Sequence, residues 1–331
     1  MKILLLGAGN WGWNHLRTLV SLLGHGISEI YTYDPDPKVQ EKIRRTYSEL
    51  VNLVKNPDDV VEKVDGVVIA TPAKTHYQLA KWALERNKHV LVEKPMALSL
   101  KEGEEIAELA EARNLILMVG HILLYHDAVE YIKNLLKRKE LGDVYYLYAQ
   151  RLNLGRIRRD ENVLWSLGPH DFSISEYLFD SKPIKVSATG KAFVQPNVED
   201  VVFVSVERDD GTMCHFHLSW LDPNKVRRIV IVGSKKMVVF DDMNPEEKIK
   251  IYDKGVDWDV FSPSVTSYSS SVQVRYGDIY SPKISAKEPL KKEHLDFIES
   301  VKTGRKPKAD ANNGLEVLKL LEEADKNLKN Q

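Results

Sequence analysis

Four groups of residues in this sequence have the types and spacing that chemistry needs. Glu93-Lys94-Pro95 follows the apolar run Val90-Leu91-Val92, so a lysine stands where a buried strand stops. Pro95 cannot continue a sheet ladder, so the backbone leaves there with Lys94 at the carboxyl end of the strand. Open α/β sheets place their ligands at that edge. Such a lysine is either a surface residue or an ammonium aimed at a reacting oxygen.

The second group is Gly7-Ala8-Gly9-Asn10-Trp11-Gly12, between the apolar run Lys2–Leu6 and a helical pattern at Asn14–Leu23. Strand, G-x-G-x-x-G and helix in that order form a dinucleotide fingerprint. Gly7 permits the tight turn, Gly9 the approach of a pyrophosphate, and Gly12 close helix–strand packing. Asp34 lies about twenty residues further on, where an acid accepts from the adenosine ribose and repels a 2′-phosphate. NAD is therefore expected over NADP, although Asp34-Pro35-Asp36-Pro37 also has the composition of a turn.

The third group is Leu164-Trp165-Ser166-Leu167-Gly168-Pro169-His170-Asp171. Gly168-Pro169 reads as a turn and Phe172–Phe179 as a helix, which puts His170 and Asp171 at a helix amino end. That end favours neutral imidazole, the form a general base must have. Asp171 caps the helix or orients His170. The fourth group is Arg156, Arg158 and Arg159 in the polar loop Asn153–Asn162, either solvated or holding an anionic substrate group. His121 and His126 flank a domain junction, and His121 follows a strand end. His215 and His217 alternate on a strand without a third ligand, so no metal site is expected. No G-x-S-x-G, Walker or H-E-x-x-H motif is present. Hydride transfer needs only a bound nicotinamide, a positioned carbon and a proton acceptor, which matches the inventory.

The elements that must position these groups divide the chain in two. Short apolar strands at Lys2–Leu6, Glu29–Tyr33, Asp65–Ala70, His89–Val92 and Leu115–Val119 alternate with helical patterns, among them Lys101–Arg113 and one opening at Thr75, a cap candidate. That is the pattern of a doubly wound parallel sheet, an α/β domain over residues 1–121. From 122 to 331 the pattern is α+β. A helix at Ala128–Lys137 and a strand at Val144–Arg151 precede strands at Ile184–Val194, Val201–Arg208, Met213–Trp220, Arg228–Gly233 and Lys236–Asp241. These predict a large, mostly antiparallel open sheet with helices on one face. Residues 253–286 show little periodicity and read as a long ordered excursion, functional or an inter-subunit arm. Helices are expected at Pro289–Lys302 and Ala311–Leu328, the last one able to pack back toward the first domain.

Composition narrows the class. The 331 residues suit two domains, 43% are hydrophobic and the net charge is −1. Neither a general nucleic-acid role nor a membrane-surface role fits that balance. The one cysteine, Cys214, excludes an intrachain disulfide and suits a reducing cytoplasm. No run approaches the roughly 20 apolar residues that span a bilayer.

Gly7-Ala-Gly-Asn-Trp-Gly, the Ala70–His76 segment, Val92-Glu-Lys-Pro-Met-Ala-Leu, Gly120-His-Ile-Leu-Leu-Tyr-His and Trp165-Ser-Leu-Gly-Pro-His-Asp-Phe-Ser-Ile occur in this order. Together they resemble the glucose–fructose oxidoreductase/inositol dehydrogenase (Gfo/Idh/MocA) family over essentially the whole chain. The resemblance implies a Rossmann domain binding NAD(P), with contacts from Gly7, Gly9, Asn10, Trp11, Gly12, Asp34, Thr71, Pro72, His76, Glu93, Lys94 and His121. It implies that Lys94 lies by the reacting hydroxyl, that His170 is the acid/base, and that the second domain forms homodimers or homotetramers through its sheet. The resemblance also implies, from many members, an aspartate four residues before the histidine, and here that position is Ser166. The W-S-x-x-P-H-D version leans towards sugar or nucleotide-sugar substrates, with Arg156, Arg158, Trp165 and Asp171 on the substrate side. The alternatives are an inositol or free aldose dehydrogenase and a non-catalytic cofactor-binding regulator.

Overall fold

The structure is a computed structural model that describes every residue except Arg156, Asp160, 259–271, Ala286, Asn330 and Gln331. The chain begins β1 (Lys2–Leu6), α1 (Gly12–Ser21), β2 (Glu29–Tyr33), α2 (Pro37–Tyr47), β3 (Asn52–Leu53), β4 (Gly66–Ile69), α3 (His76–Glu85), β5 (His89–Glu93), α4 (Leu100–Ala112) and β6 (Leu117–Gly120). It continues α5 (Asp127–Lys137), β7 (Val144–Leu152), α6 (Val163–Leu178), β8 (Pro183–Lys191), β9 (Val201–Arg208), β10 (Met213–Ser219) and β11 (Val226–Gly233). The remaining elements are β12 (Met237–Asp241), β13 (Ile249–Trp258), β14 (Val272–Tyr280), α7 (Pro289–Thr303) and α8 (Ala311–Lys329). Among the described residues no helix is long and apolar enough to cross a membrane.

Two compact units result: Met1–His126 with Lys287–Glu322, and Asp127–Ala286 with Glu323–Gln331. The units therefore do not follow chain order. Residues 287–303, grouped with the second domain on sequence order, pack in the first unit against α1 and the turn at Ile122–Tyr125. The reason is apolar and polar matching: Phe297 and Ile298 of α7 are buried, and Tyr125 Oη donates to Asp296 at 2.7 Å.

The first unit holds a six-stranded sheet in the order β3-β2-β1-β4-β5-β6, each neighbouring pair parallel. That is the doubly wound dinucleotide-binding order, with its crevice between β1 and β4. Registers Leu6↔Tyr33, Leu6↔Ile69, Ile69↔Val92 and Glu93↔Gly120 bring the strand ends to one edge. Val67–Ile69 and Val90–Val92 are fully buried, as strands covered on both faces must be. The helix α2 continues directly from the proline pair, where the composition predicts only a turn. Asp36 caps it by accepting from Lys38 N at 2.8 Å, and Pro37 stands at its first position, where a missing N–H costs nothing. Thr75 does not cap α3; its hydroxyl donates to Thr71 Oγ1 at 2.7 Å within a short 3₁₀ turn.

The second unit is built on an eight-stranded sheet, order β14-β13-β12-β11-β7-β10-β9-β8. All neighbours are antiparallel except β7 and β10. Gly211, at φ +85°, closes the β9–β10 turn, as its sequence Asp-Asp-Gly predicts. Of the excursion read at 253–286, the described residues lie mostly in β13 and β14, an antiparallel pair at the edge of the sheet; residues 259–271 and Ala286 lie outside the described residues. The Ser- and Tyr-rich composition hid an edge pair whose alternation is partly exposed.

Candidate active site

The glycine loop is shaped by contacts that only glycine allows. Gly7 has φ +85°, and a Cβ there would stand 2.8 Å from the carbonyl oxygen of Ala70. A Cβ on Gly12 would lie 2.2 Å from the Gly7 carbonyl oxygen, so α1 packs directly on the loop. A Cβ on Gly9 would meet nothing within 4 Å, leaving the backbone open at the start of α1, as a pyrophosphate-binding turn requires. Asp34 anchors this loop from β2: its Oδ2 accepts from Ala8 N at 2.8 Å and its Oδ1 from Asp36 N at 2.9 Å. Each oxygen keeps a further lone pair for a ribose hydroxyl.

Glu93 ends β5 in the middle of a buried network. Its Oε1 accepts from Trp11 Nε1 at 2.6 Å and from His15 Nε2 at 2.8 Å, while Oε2 accepts from Lys94 N at 3.2 Å. Burial works against its charge, yet the His15 hydrogen bond and the Lys94 ammonium hold its pKa below the usual value. The other ring nitrogen of His15, Nδ1, lies 3.0 Å from His294 Nε2 on α7. Burial, then the His15 ring, keeps His294 well below the ordinary histidine range. Beside it, fully buried Glu293 has no hydrogen-bond partner for either oxygen, and burial followed by the Glu93 charge raises its pKa well above normal. The two carboxyls are thus shifted in opposite directions, Glu293 towards the neutral acid and Glu93 towards the ion. Gly120, opposite Glu93 in register, makes room for that carboxyl: a Cβ there would come within 2.9 Å of Glu93 Cδ.

Lys94 itself is half-buried and followed by a cis bond to Pro95. His76 links this turn to the β4–α3 loop, with Nδ1 2.8 Å from the Pro95 carbonyl oxygen and Nε2 2.8 Å from that of Thr71. His121 is buried after β6, 2.6 Å from Asn313 Oδ1, and burial pushes its pKa down to about 4. The structure therefore brings Gly7, Trp11, Gly12, Asp34, Thr71, His76, Glu93, Lys94 and His121 to one edge of the first unit. Asn10 is exposed in the same loop and Pro72 opens the turn beside Thr71. Sequence reasoning missed His15 and His294. His15 falls on α1 three residues past Gly12, and His294 lies on a helix that chain order assigned elsewhere.

In the second unit, α6 overturns one expectation. It starts at Val163, capped by Asn162 Oδ1 accepting from Trp165 N at 3.1 Å, and runs through Gly168 and Pro169. His170 and Asp171 are mid-helix, so no helix-end field acts on His170 and Asp171 is no cap. Pro169 forfeits one backbone bond, offset by burial: Gly168 lets the helix lie close to Leu218, and Phe172 packs edge-on to Phe216 at 4.8 Å. Asp171 is buried and held bidentate by Arg151, Nε to Oδ2 at 2.8 Å and Nη2 to Oδ1 at 2.7 Å. Ser166 precedes half-buried His170 by one helical turn, on the same face. Trp165 lines a cleft of about 580 Å³ with Arg159, Asn162, Asn197 and Lys329. Arg158 pairs with Glu161 at 2.6 Å, so its charge is matched locally; Arg156 lies outside the described residues. On the outer side, His215 shares a 2.9 Å hydrogen bond with Ser205 and His217 stacks on Phe203 at 4.2 Å.

Comparison with known proteins bears directly on this arrangement. Residues 1–121 match the model of an oxidoreductase family with an NAD-binding Rossmann fold, and residues 129–239 match the GFO/IDH/MocA C-terminal domain. The chain is 30% identical over 199 residues to UDP-N-acetylglucosamine 3-dehydrogenase of Acidithiobacillus ferrooxidans, covering 60% of this chain and 61% of that protein. It is 24% identical over 320 residues to the NAD(+)-dependent scyllo-inositol 2-dehydrogenase of Bacillus subtilis, covering 93% of this chain and 88% of the relative. A solved structure of the Acidithiobacillus enzyme superposes with TM-score 0.84 at 22% identity, covering 100% of this chain and 98% of that one. A protein from gentamicin A biosynthesis, solved in complex with NAD, superposes with TM-score 0.79 at 20% identity, covering 99% of this chain and 94% of that one.

Proposed function

We propose that this chain, which belongs to the GFO/IDH/MocA oxidoreductase family, is an NAD(P)-dependent dehydrogenase. It interconverts a secondary alcohol of a sugar or nucleotide sugar with the corresponding ketone. The observation that carries this is Lys94 placed directly after the buried, hydrogen-bonded Glu93, at the edge that also holds the glycine loop. Gly7, Gly9, Gly12 and Asp34 suit a dinucleotide, with the open approach at Gly9 and the anchored Asp34 as the points of fit. When bound, the nicotinamide supplies the hydride acceptor or donor.

The residues of the chain do the rest. Lys94, an ammonium, donates to the oxygen as alkoxide character develops, an interaction that strengthens as water is excluded. His170 accepts the hydroxyl proton, and the residue one helical turn before it is Ser166, not a carboxylate. Asp171 supports α6 through Arg151 and does not touch the substrate. Among relatives, the inositol dehydrogenase aligns over more of this chain than the nucleotide-sugar enzyme does, which keeps a free polyol as the second reading.

The test is nicotinamide absorbance over a panel of free, phosphorylated and nucleotide-linked sugars, with Lys94→Ala and His170→Asn. Each variant should keep cofactor affinity and lose turnover by about 10²-fold or more. Near-wild-type turnover in Lys94→Ala would overturn the assignment. Self-association belongs to the same reading, supported by Tyr146, Phe203, Met213, Tyr276 and Ile279 exposed on the outer face of the second sheet. A cytoplasmic setting is supported by the single, buried cysteine.

A further inference from the structure

Two arginines stand opposite each other in the second unit, Arg151 on β7 and Arg227 on β11. Directly opposed residues of an antiparallel pair point to the same face, and on that face Arg151 meets Asp171 of α6. Arg151 closes its Nε/Nη2 fork on the Asp171 carboxylate. Arg227 is used differently. Its Nη1 donates to the carbonyl oxygens of Leu152 and Val226, both at 2.7 Å, and its Nη2 to Asn153 Oδ1 at 2.5 Å. Carbonyls and an amide orient this guanidinium but do not neutralise it.

Among the described residues no carboxylate pairs with Arg227, and its Nε–H meets no protein acceptor. The most deeply buried arginine of the unit, Arg208, is by contrast matched by Glu176 at 2.7 Å, whereas Arg227 is half-buried. Asp171 is committed to the Arg151 fork, and Asp242, the other carboxylate acting on Arg227, is paired with Lys248 at 2.9 Å, so neither is bonded to the Arg227 guanidinium. Burial, with Arg151 second, pushes Arg227 down to about 10, so it remains a cation at neutral pH. A half-buried cation held only by neutral oxygens is partly stripped of water, and an oxyanion arriving on the Nε edge offsets that cost. The location fits such a ligand: Asn153, which Arg227 holds, opens the loop that leads to α6 and His170.

We propose that Arg227 is the anion-recognition residue of the second unit, taking a phosphoryl or carboxylate group carried by the sugar substrate. The inference rests on the sugar-oxidoreductase reading and narrows its substrate class to anionic sugars. It also moves charge recognition from the 156–159 loop to β11, where the guanidinium is already oriented.

Titration calorimetry on the full chain tests it, with UDP, glucose 6-phosphate and glucuronate as probes of the three sources of an oxyanion. At least one probe should bind the wild type and lose on the order of 10- to 100-fold in Arg227→Gln. Arg227→Lys, which keeps the charge but not the fork, should recover only part of that loss. Lys185→Gln, an exposed charge on β8, serves as the control and should bind as the wild type does. Thermal melts show which variants are folded, and if Arg227→Gln is not, Arg227→Lys decides alone. Equal affinity in wild type and variant, or no probe binding the wild type, overturns the subsite. NADH binding and turnover of neutral sugars are read in parallel: their survival leaves the oxidoreductase reading standing when the subsite falls, and their absence in the wild type removes that reading first.

Discussion

Trp11 and Glu93 lie 82 positions apart in sequence and share a 2.6 Å hydrogen bond, indole Nε1 to carboxylate Oε1. The bond ties the glycine loop to the turn that presents Lys94. The cofactor loop and the lysine are therefore positioned by one carboxylate, and that carboxylate depends on His15 from α1.

Removing one partner of the buried His15–Glu93 pair should cost far more than removing both. His15→Leu or Glu93→Met alone should destabilise by about 3–5 kcal/mol, because each leaves a buried group without its partner. The double variant should cost less than the sum. Urea melts of the four proteins measure this, and strict additivity would show that the pair is not coupled.

Gly9→Ala and Gly12→Ala should separate folding from binding. The Gly9 side chain would meet no protein atom, so stability should change by less than about 1 kcal/mol. NAD affinity should nonetheless fall on the order of ten-fold, as the methyl occupies the pyrophosphate's approach. Gly12→Ala places its methyl against the Gly7 carbonyl and should lose both stability and affinity. Fluorescence titration with NADH beside a thermal melt distinguishes the two, and equal behaviour would contradict the loop geometry.

His121 sets a pH dependence with a defined sign. Its pKa, about 4 when folded, lies below the unfolded value near 6.5, so the unfolded chain binds more protons between the two. Stability from this group is complete above about pH 6.5 and is lost as pH falls towards 4. Between about pH 7.5 and 5 the loss amounts to about 2 kcal/mol. His121→Asn should show a shallower fall in urea midpoint over that interval, and an identical slope would remove His121 as the cause.

Asp171→Asn should behave as a structural change. It leaves Arg151 unmatched beside Arg227 and should cost about 3 kcal/mol. If Asp171 contacted substrate, the Michaelis constant would rise with stability unchanged, and paired melts and kinetics decide between these.

How much of this was legible beforehand depended on whether the signal was local. The G-x-G-x-x-G turn, the strands at Glu29–Tyr33 and Val201–Arg208, and Lys94 at a strand end all follow from residues adjacent in sequence. The start of α6 did not, because Gly168-Pro169 is a breaker in isolation and is tolerated only where Phe172 and Leu218 bury the helix. The helix α2 carried a readable signal in Asp36-Pro37 that was taken for a turn. His15, His294 and Arg227 acquire meaning only through partners at long range: Glu93 for the first, His15 for the second, and the β7–β11 register for the third. Arg158 showed the converse, since a conspicuous loop arginine proved to be paired with Glu161 three residues away.

The return of α7 to the first unit has a consequence for biosynthesis. His294, Asp296 and Phe297 complete a core whose other walls are made within the first 126 residues. On the ribosome the amino-terminal segment therefore waits, with Tyr125 and His15 lacking their partners, until the intervening sheet has been synthesised. The cofactor-binding unit is begun before the second unit and cannot be completed until after most of it.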